Sequence, residues 1–460
     1  MAEFRGEYTE NVQAFSRLVR AEESFDLIRR RLSLGVGEMT LFYIDGFVKD
    51  DTVQKLMQYF LDRGAVTEGA EEFAARAVPY VEVDVVKDDG AAANLLLSGA
   101  AVVFATSFGK SALVIDARTY PARQTAEPDN DRVMSGAHDG FVETLIFNTA
   151  LIRRRIRDRR LTVRYVGVGE GAKSDVCLLY LDGVADAAAV STLTRNLEKV
   201  RADALCMGAQ SLEECLVRRR WYNPFPKVRK LERPDAAAAE IMEGKILLLC
   251  DTSPQAMVLP TSFLDFLEET DDYYFPPVTG TYLRFLRILV FFAAPLIPAL
   301  WVLALGMGEA LPSALAFLIP EEVGALPILL QIYLAEIAID ALKLASMNAP
   351  SLLSHSLSVI GGLILGDFAV EVGWFCPDVI FYMAVVAVAG FAQRSHELTY
   401  AMKFYRMALL GVTALFGVWG FVLGVLALPL LLATNSSVLP HRYLRLRPLL
   451  PRKPKKTSQS

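Results

Sequence analysis

Three ionisable residues, Glu336, Asp340 and Lys343, interrupt an otherwise apolar stretch at about 328–345. At about 100° per helical residue they fall within an arc of roughly 60°, so a helix carries all three on one face. Ionisable groups at bilayer depth cost about 2.5–3.5 kcal/mol each on insertion scales, and they persist where they face a partner, a bundle interior or water. Asp367 and Glu371 repeat the i, i+4 acidic pair in the next apolar segment, behind Gly361, Gly362 and Gly366, which allow close helix packing. Two readings stand side by side. In one, Glu336 or Asp340 neutralises Lys343 in a structural ion pair, and Asp367 and Glu371 sit at a helix end in the interface. In the other, four carboxylates against one ammonium leave net negative charge along a cation path, as cation-selective pores use. Glu336, Asp340, Lys343, Asp367 and Glu371 are thus the pore or ion-pathway candidates.

A second concentration of charge, Arg153-Arg154-Arg155-Ile156-Arg157-Asp158-Arg159-Arg160, closes a helix expected over about 140–160. Such a run can attract nucleic acid or anionic lipid. Guanidinium groups also suit bidentate pairing with carboxylates, here of the flanking modules or of a neighbouring subunit. The second use is favoured: Arg153, Arg154, Arg155 and Arg157 are subunit-interface candidates, and no nucleic-acid partner is expected. No catalytic residue emerges, because the sequence has no P-loop, nucleophile elbow or H-E-x-x-H pattern. The glycine-rich run Gly167 to Gly171 precedes a strand rather than a helix, which argues against a phosphate cradle. Cys177, Cys206, Cys215, Cys250 and Cys376 form no C-x-x-C pair and read as free thiols, and His138, His355, His396 and His441 are scattered. Neither a metal nor a cofactor is expected.

The elements that must position these residues fall into two halves. Hydrophobic content of 53% and charged content of 22% average an ordinary soluble half and a greasy half. Residues 288–307 are twenty without a charge, about the length a helix needs to cross a hydrocarbon core. Four further candidates follow at about 328–345, 352–372, 379–392 and 407–433. Arg284 and Arg287 precede the first, and after Glu397 no Asp or Glu occurs while Lys403, Arg406, Arg442, Arg445, Arg447, Arg452, Lys453, Lys455 and Lys456 do. Under the positive-inside rule both flanks belong in the cytoplasm. The start of the chain shows no apolar signal-peptide core, so the first half is expected there too. Two ends on one side require an even number of crossings, and five candidates do not give one. Either 407–433, cut by Gly411, Gly417, Gly420, Gly424 and Pro429, is a broken or re-entrant hairpin, or another candidate does not cross fully.

In the soluble half, Leu41-Phe42-Tyr43-Ile44-Asp45-Gly46 is an apolar strand ending at a turn, with an amphipathic helix over about 51–62 behind it. The same grammar returns at Leu178-Leu179-Tyr180-Leu181-Asp182-Gly183 and 186–200. A second unit also recurs: residues 94–99 lead into strands at 101–105 and 112–116, and residues 240–244 lead into strands at 246–250 and 255–259. The spacing, roughly 140 residues in both cases, indicates an internal duplication. The expected fold is an α/β N-terminal soluble domain of two similar modules followed by an all-α polytopic transmembrane domain. Its expected parts are an N-terminal segment (1–34), a first module (35–135), a connecting helix (136–160), a second module (161–280), a transmembrane domain (281–435) and a basic cytoplasmic tail (436–460).

Taken in order, Asp139-Gly140-Phe141-Val142-Glu143, Asn148, Leu151-Ile152-Arg153-Arg154-Arg155, Asn223-Pro224-Phe225-Pro226, Glu232-Arg233-Pro234-Asp235, Glu243-Gly244 and Asp251-Thr252-Ser253-Pro254 resemble the signatures of the GerA-type spore germination proteins. The resemblance runs from about Ala21 to Arg445. In the membrane half, Pro327 to Gln331, Ala335-Glu336, Asp340, Gly366-Asp367 and Tyr382 to Val385 continue it. The run from Phe42 to Asp50, Lys173 to Leu178 and Val184 to Asp186 resembles one branch of the family more than the germinant-receptor subunits proper. Ala137 and His138 depart from it, since the wider family has Pro and Arg there. The resemblance implies a multi-pass protein of the spore inner membrane with its duplicated domain facing the core. It further implies a ring-like homo-oligomer that works with other germination membrane proteins as a channel for monovalent cations. A secondary transporter and a non-conducting scaffold are the alternatives.

Overall fold

The computed structural model describes residues 3–48, 50–118, 136–171, 173–203, 205–217, 222–269, 271–321, 323–348, 361–362, 364–435, 438–439 and 443–444. Residues 352–360 of the third apolar candidate and the basic tail beyond Leu444 lie outside them. The chain divides into two compact units: residues 1–218, 228–261 and 437–441 form one, and residues 219–227, 262–436 and 442–460 the other.

The first unit is a duplication. Tyr8–Val19 (α1), Leu27–Ser33 (β1), Glu38–Ile44 (β2), Asp50–Arg63 (α2), Ala70–Ala77 (α3), Val83–Val86 (β3), Asp89–Leu97 (α4), Ala101–Ala105 (β4) and Ala112–Ile115 (β5) make the first copy. Leu145–Arg155 (α5), Leu161–Val168 (β6), Ser174–Leu181 (β7), Ala187–Glu198 (α6), Ala209–Leu216 (α7), Arg229–Leu231 (β8), Pro234–Met242 (α8), Ile246–Cys250 (β9) and Ala256–Leu259 (β10) repeat the same order of helices and strands. The sheets match as well, β1-β2-β4-β5-β3 and β6-β7-β9-β10-β8, with antiparallel neighbours. Leu41 pairs with Val103, and its counterpart Leu178 pairs with Leu248.

Both sheets are covered on two faces, which is why their central strands read as unbroken apolar runs. Phe42, Ile44, Val102 and Phe104 pack under α1 and α4, while Met39, Leu41, Val103 and Leu113 pack under α2 and α3. In the second copy, Cys177, Leu179, Leu247 and Leu249 lie under α5 and α8, and Val176, Leu178, Leu248 and Met257 lie under α6 and α7. Asp88 and Asp186 cap α4 and α6 by accepting from the amides of Ala91 and Ala188, leaving fewer orphan donors in each first turn.

The copies begin earlier than the apolar pattern suggests. Leu27–Ser33 is an edge strand of the first sheet, disguised by Arg29, Arg30 and Arg31 between its two buried leucines. Charges on an edge strand discourage pairing with another chain. The helix expected as a connector spans Leu145–Arg155 and stands where α1 stands in the first copy, so it opens the second repeat. The second copy closes at Thr261 rather than at 280, because Phe263, Phe266 and Leu267 pack with Phe225, Phe291 and Tyr443 of the helical unit.

The helical unit contains Asp271–Tyr274 (α9), Pro277–Met307 (α10), Ile328–Asn348 (α11), a π-helical turn Ile364–Phe368 running into Ala369–Glu371 (α12), Pro377–Phe391 (α13) and His396–Thr434 (α14). Among the described residues, α10 and α14 are long and apolar enough, by length and composition, to cross a bilayer. Buried Gln331 ties the start of α11 to that of α13: its amide nitrogen donates to Leu326 O at 2.7 Å, and its Oε1 accepts from the Cys376 amide at 2.8 Å.

α14 is not one rod. Gly417, at φ 58° and ψ −134°, reverses the chain, and the Tyr405 hydroxyl donates to Gly424 O at 2.9 Å. A Cβ on Gly420 would strike Val412 O, and one on Gly424 would strike the Leu409 side chain. The stretch is therefore a helical hairpin, 396–416 packed against 418–434, with small residues four apart letting the backbones meet. The apolar candidate at 407–433 is thus broken at Gly417, one of the two departures that the odd number of candidates calls for.

Candidate functional site

Glu336 and Asp340 lie one turn apart on α11, and Lys403 and Arg406 lie one turn apart on the first limb of α14. Arg406 donates from Nε to Glu336 Oε1 at 2.6 Å, and its Nη2 stands 2.5 Å from the same oxygen. Lys403 donates to the backbone carbonyl of Glu336 at 3.0 Å, stands 3.3 Å from Glu336 Oε2 and forms an ion pair with Asp340. Glu336 is 4%, Lys403 8% and Arg406 9% exposed. Two acids on one helix are thus clasped by two bases on another. Burying such charges repays its desolvation cost only when the geometry satisfies them, whereas removing one partner costs about 3–5 kcal/mol.

The clasp changes the charge arithmetic. Lys343 is not the partner of either acid: its Nζ lies 4.9 Å from the centroid of the Phe391 ring, a cation–π distance. The expected net negative charge does not hold at this cluster, where Lys343, Lys403 and Arg406 face two carboxylates. Asp367 and Glu371 are exposed, lie on the π-turn and on α12, and have no hydrogen-bond or ion-pair partner among the described residues. They do not join the cluster. A cavity of about 30 Å³ opens beside the clasp, lined by Glu336, Asp340, Lys343, Tyr400, Lys403 and Arg406.

Sequence reasoning missed Lys403 and Arg406 as site residues. In the sequence both read as part of the positive flank that sets sidedness. The signal was present in their i, i+3 spacing, which mirrors the i, i+4 spacing of Glu336 and Asp340 and falls inside another apolar helix.

The arginine run works within the chain. Arg153 is fully buried at the seam between the two copies. It grips Asp26 through Nε at 2.7 Å and Nη2 at 3.0 Å, and it donates to Ser24 Oγ at 3.1 Å and to the carbonyl of Leu161 at 3.0 Å. Ser24 Oγ accepts from the Val163 amide, and the Phe25 amide donates to Val163 O, so the residues leading into β1 lie against edge strand β6. Gly46, at φ 78°, lets the turn after β2 approach Ala150 and Ile146 of α5. Arg155 pairs with both oxygens of Asp139 at 2.5 and 2.6 Å, and Arg157 reaches Ser98 Oγ at 3.4 Å. Arg153 is therefore consumed inside one subunit, while Arg154 and Arg157 remain exposed.

Other signature residues are structural too. Asn148 donates to the Val142 carbonyl and accepts from its amide, and Asp251 accepts from the Leu145 amide at 3.1 Å at the start of α5. In the helical unit, Tyr443 donates to the Pro226 carbonyl at 2.7 Å and Asn223 to the Leu431 carbonyl at 3.3 Å, which ties the Asn223 to Pro226 segment to the end of the hairpin. Burial pushes the thiols of Cys177 and Cys250 up to about 12 and about 11, the nearby Asp26 charge adding for Cys177 and that of Asp251 for Cys250, so both are inert. Among the described residues, no group of three or more His, Cys, Asp or Glu could hold a metal ion.

The sequence model of the family described as Bacillus/Clostridium GerA spore germination protein matches residues 15–459. This chain belongs to the GerA family. The GerA chain is 34% identical to stage V sporulation protein AF of Bacillus subtilis over 431 residues, covering 93% of this chain and 87% of that one. It is also 26% identical to spore germination protein KA of the same organism over 412 residues, 88% and 75% of the two chains. Among solved structures it resembles the N-terminal domain of the A subunit of the Bacillus megaterium spore germinant receptor GerK3, with a TM-score of 0.42 and 20% identity over 57% of this chain and 98% of that one. The branch singled out by Phe42 to Asp50 and Lys173 to Leu178 is that of stage V sporulation protein AF. As a GerA protein the chain is a membrane protein of the spore germination machinery and not an enzyme.

Proposed function

We propose that this GerA protein is a membrane subunit of a spore germination ion channel, passing monovalent cations across the spore inner membrane, and that the Glu336–Arg406–Lys403–Asp340 clasp holds the path shut. One observation carries the reading: four charges are paired between two largely apolar helices, at positions where a merely anchoring bundle gains nothing from charge. While the clasp is closed, both carboxylates are occupied and offer little to a cation. When the first limb of α14 moves away from α11, they become free to line the path, with Asp367 and Glu371 supplying further negative charge in the next segment.

The hairpin supports a six-segment arrangement of α10, α11, the 352–372 stretch, α13 and the two limbs of α14. An even count agrees with Arg284 and Arg287 before the first segment and the basic residues after the last lying on one side, the spore core. The duplicated domain then faces the core, where a ring-like homo-oligomer and other germination membrane proteins meet it. Arg154, Arg157 and Arg160 are the exposed members of the arginine run, on the surface such an interface would use.

The reading is tested by potassium and chloride flux in liposomes holding the purified full chain. Asp340→Asn is expected to change the cation-over-anion ratio. An unchanged flux with unchanged selectivity removes this position from the path, and saturable flux with fixed stoichiometry to a second solute points to a transporter.

A further inference from the structure

The cavity beside the clasp is lined by three basic and two acidic side chains. Glu336 presents Oε1 to Arg406 and Oε2 to Lys403, and Asp340 pairs with Lys403 through Oδ2. Lys343 brings a third positive charge to the same cavity and has no carboxylate partner among the described residues, only the face of Phe391. With three bases against two acids the cavity carries one formal positive charge within apolar helices, where an uncompensated ammonium is costly. Its unused polar groups are the Lys343 ammonium, the Tyr400 hydroxyl, the remaining N–H groups of Arg406 and the second carboxylate oxygen of Asp340, so cationic donors outnumber the one free anionic acceptor. A space of about 30 Å³ admits one or two occupants the size of a water molecule, too few for a phosphate or an organic acid.

We propose that this cavity binds one small monatomic anion of chloride size, with Lys343 as its principal ligand and Tyr400 and Arg406 completing the shell. The anion brings the cluster from one positive charge to neutral. The proposal does not depend on conduction, because it concerns equilibrium binding to the folded chain.

The experiment is thermal unfolding of the purified full chain in detergent micelles, titrated with sodium chloride against sodium gluconate at constant ionic strength. The unfolding midpoint is expected to rise saturably with chloride and with bromide, but not with gluconate. Lys343→Gln is expected to weaken the apparent chloride affinity at least tenfold, and Lys343→Arg, which keeps the charge, to retain most of it. Equal midpoints for the wild type in both salts would overturn the proposal, whether or not the variants fold. A chloride response undiminished in Lys343→Gln would overturn the assignment of Lys343. Either result leaves the cation-path reading to be judged separately by flux.

Discussion

Arg406→Gln removes the stronger half of the clasp and leaves Glu336 buried. Losing one member of a buried ion pair costs about 3–5 kcal/mol, and Lys403 at 3.3 Å from Glu336 Oε2 can swing in to recover part of it, so about 3 kcal/mol is the appropriate figure. If the clasp exists in the shut state alone, that cost falls on the shut state. At about 1.4 kcal/mol per tenfold, the open-to-shut ratio rises by about a hundredfold. The assay is basal potassium efflux from liposomes holding the purified chain, run as a cycle with Glu336→Gln and the double variant. The double variant is expected to leak far less than the product of the single effects, because two amides can replace the ion pair with a neutral hydrogen bond and leave no orphaned charge. Arg406→Lys should fall between the wild type and Arg406→Gln. Single variants that leave efflux unchanged, or a cycle with no coupling, would refute the idea that this pair holds the path shut.

Arg153→Ala should destabilise the duplicated domain by about 3–5 kcal/mol through the buried carboxylate of Asp26, read as a lowered unfolding midpoint and faster proteolysis near the seam. Gly424→Leu should disrupt the hairpin where Leu409 already fills the space, seen as loss of folded protein on size-exclusion chromatography, whereas Gly306→Ala, at a helical position with nothing within reach of its Cβ, should leave the chromatogram unchanged. In native protein at pH 8, a maleimide should label exposed Cys206 and Cys215 but spare Cys177 and Cys250. The two buried thiols hold their protons to about 12 and about 11 in the folded state, while the unfolded chain releases them from about 9. The stability of the second copy should therefore fall as pH rises through that window, measurable by denaturant titration between pH 8 and pH 11.

The duplication was legible because Leu41 to Gly46 and Leu178 to Gly183 are buried strands that both end in a positive-φ glycine turn, a pattern apolar sequence reports directly. Its full extent was not. β1 hides three arginines between two leucines, and α5 carries its arginines at its end, so both read as segments outside the repeats. The acidic pair on α11 was visible for a physical reason, since charge in an apolar run stands out. Its partners were equally visible, but a pairing between residues some seventy apart is set by packing and not by local spacing. The hairpin was foreshadowed by its glycines. Only the φ of Gly417 and the approach of Tyr405 to Gly424 choose reversal over a long kinked helix.

The most direct test is recording from the purified chain in planar bilayers, alone and together with candidate partner subunits. We expect single-channel currents selective for monovalent cations, with a higher open probability for Arg406→Gln than for the wild type. Silent bilayers under every combination, with protein verified as folded and inserted, would contradict a conducting role and leave a scaffold in its place.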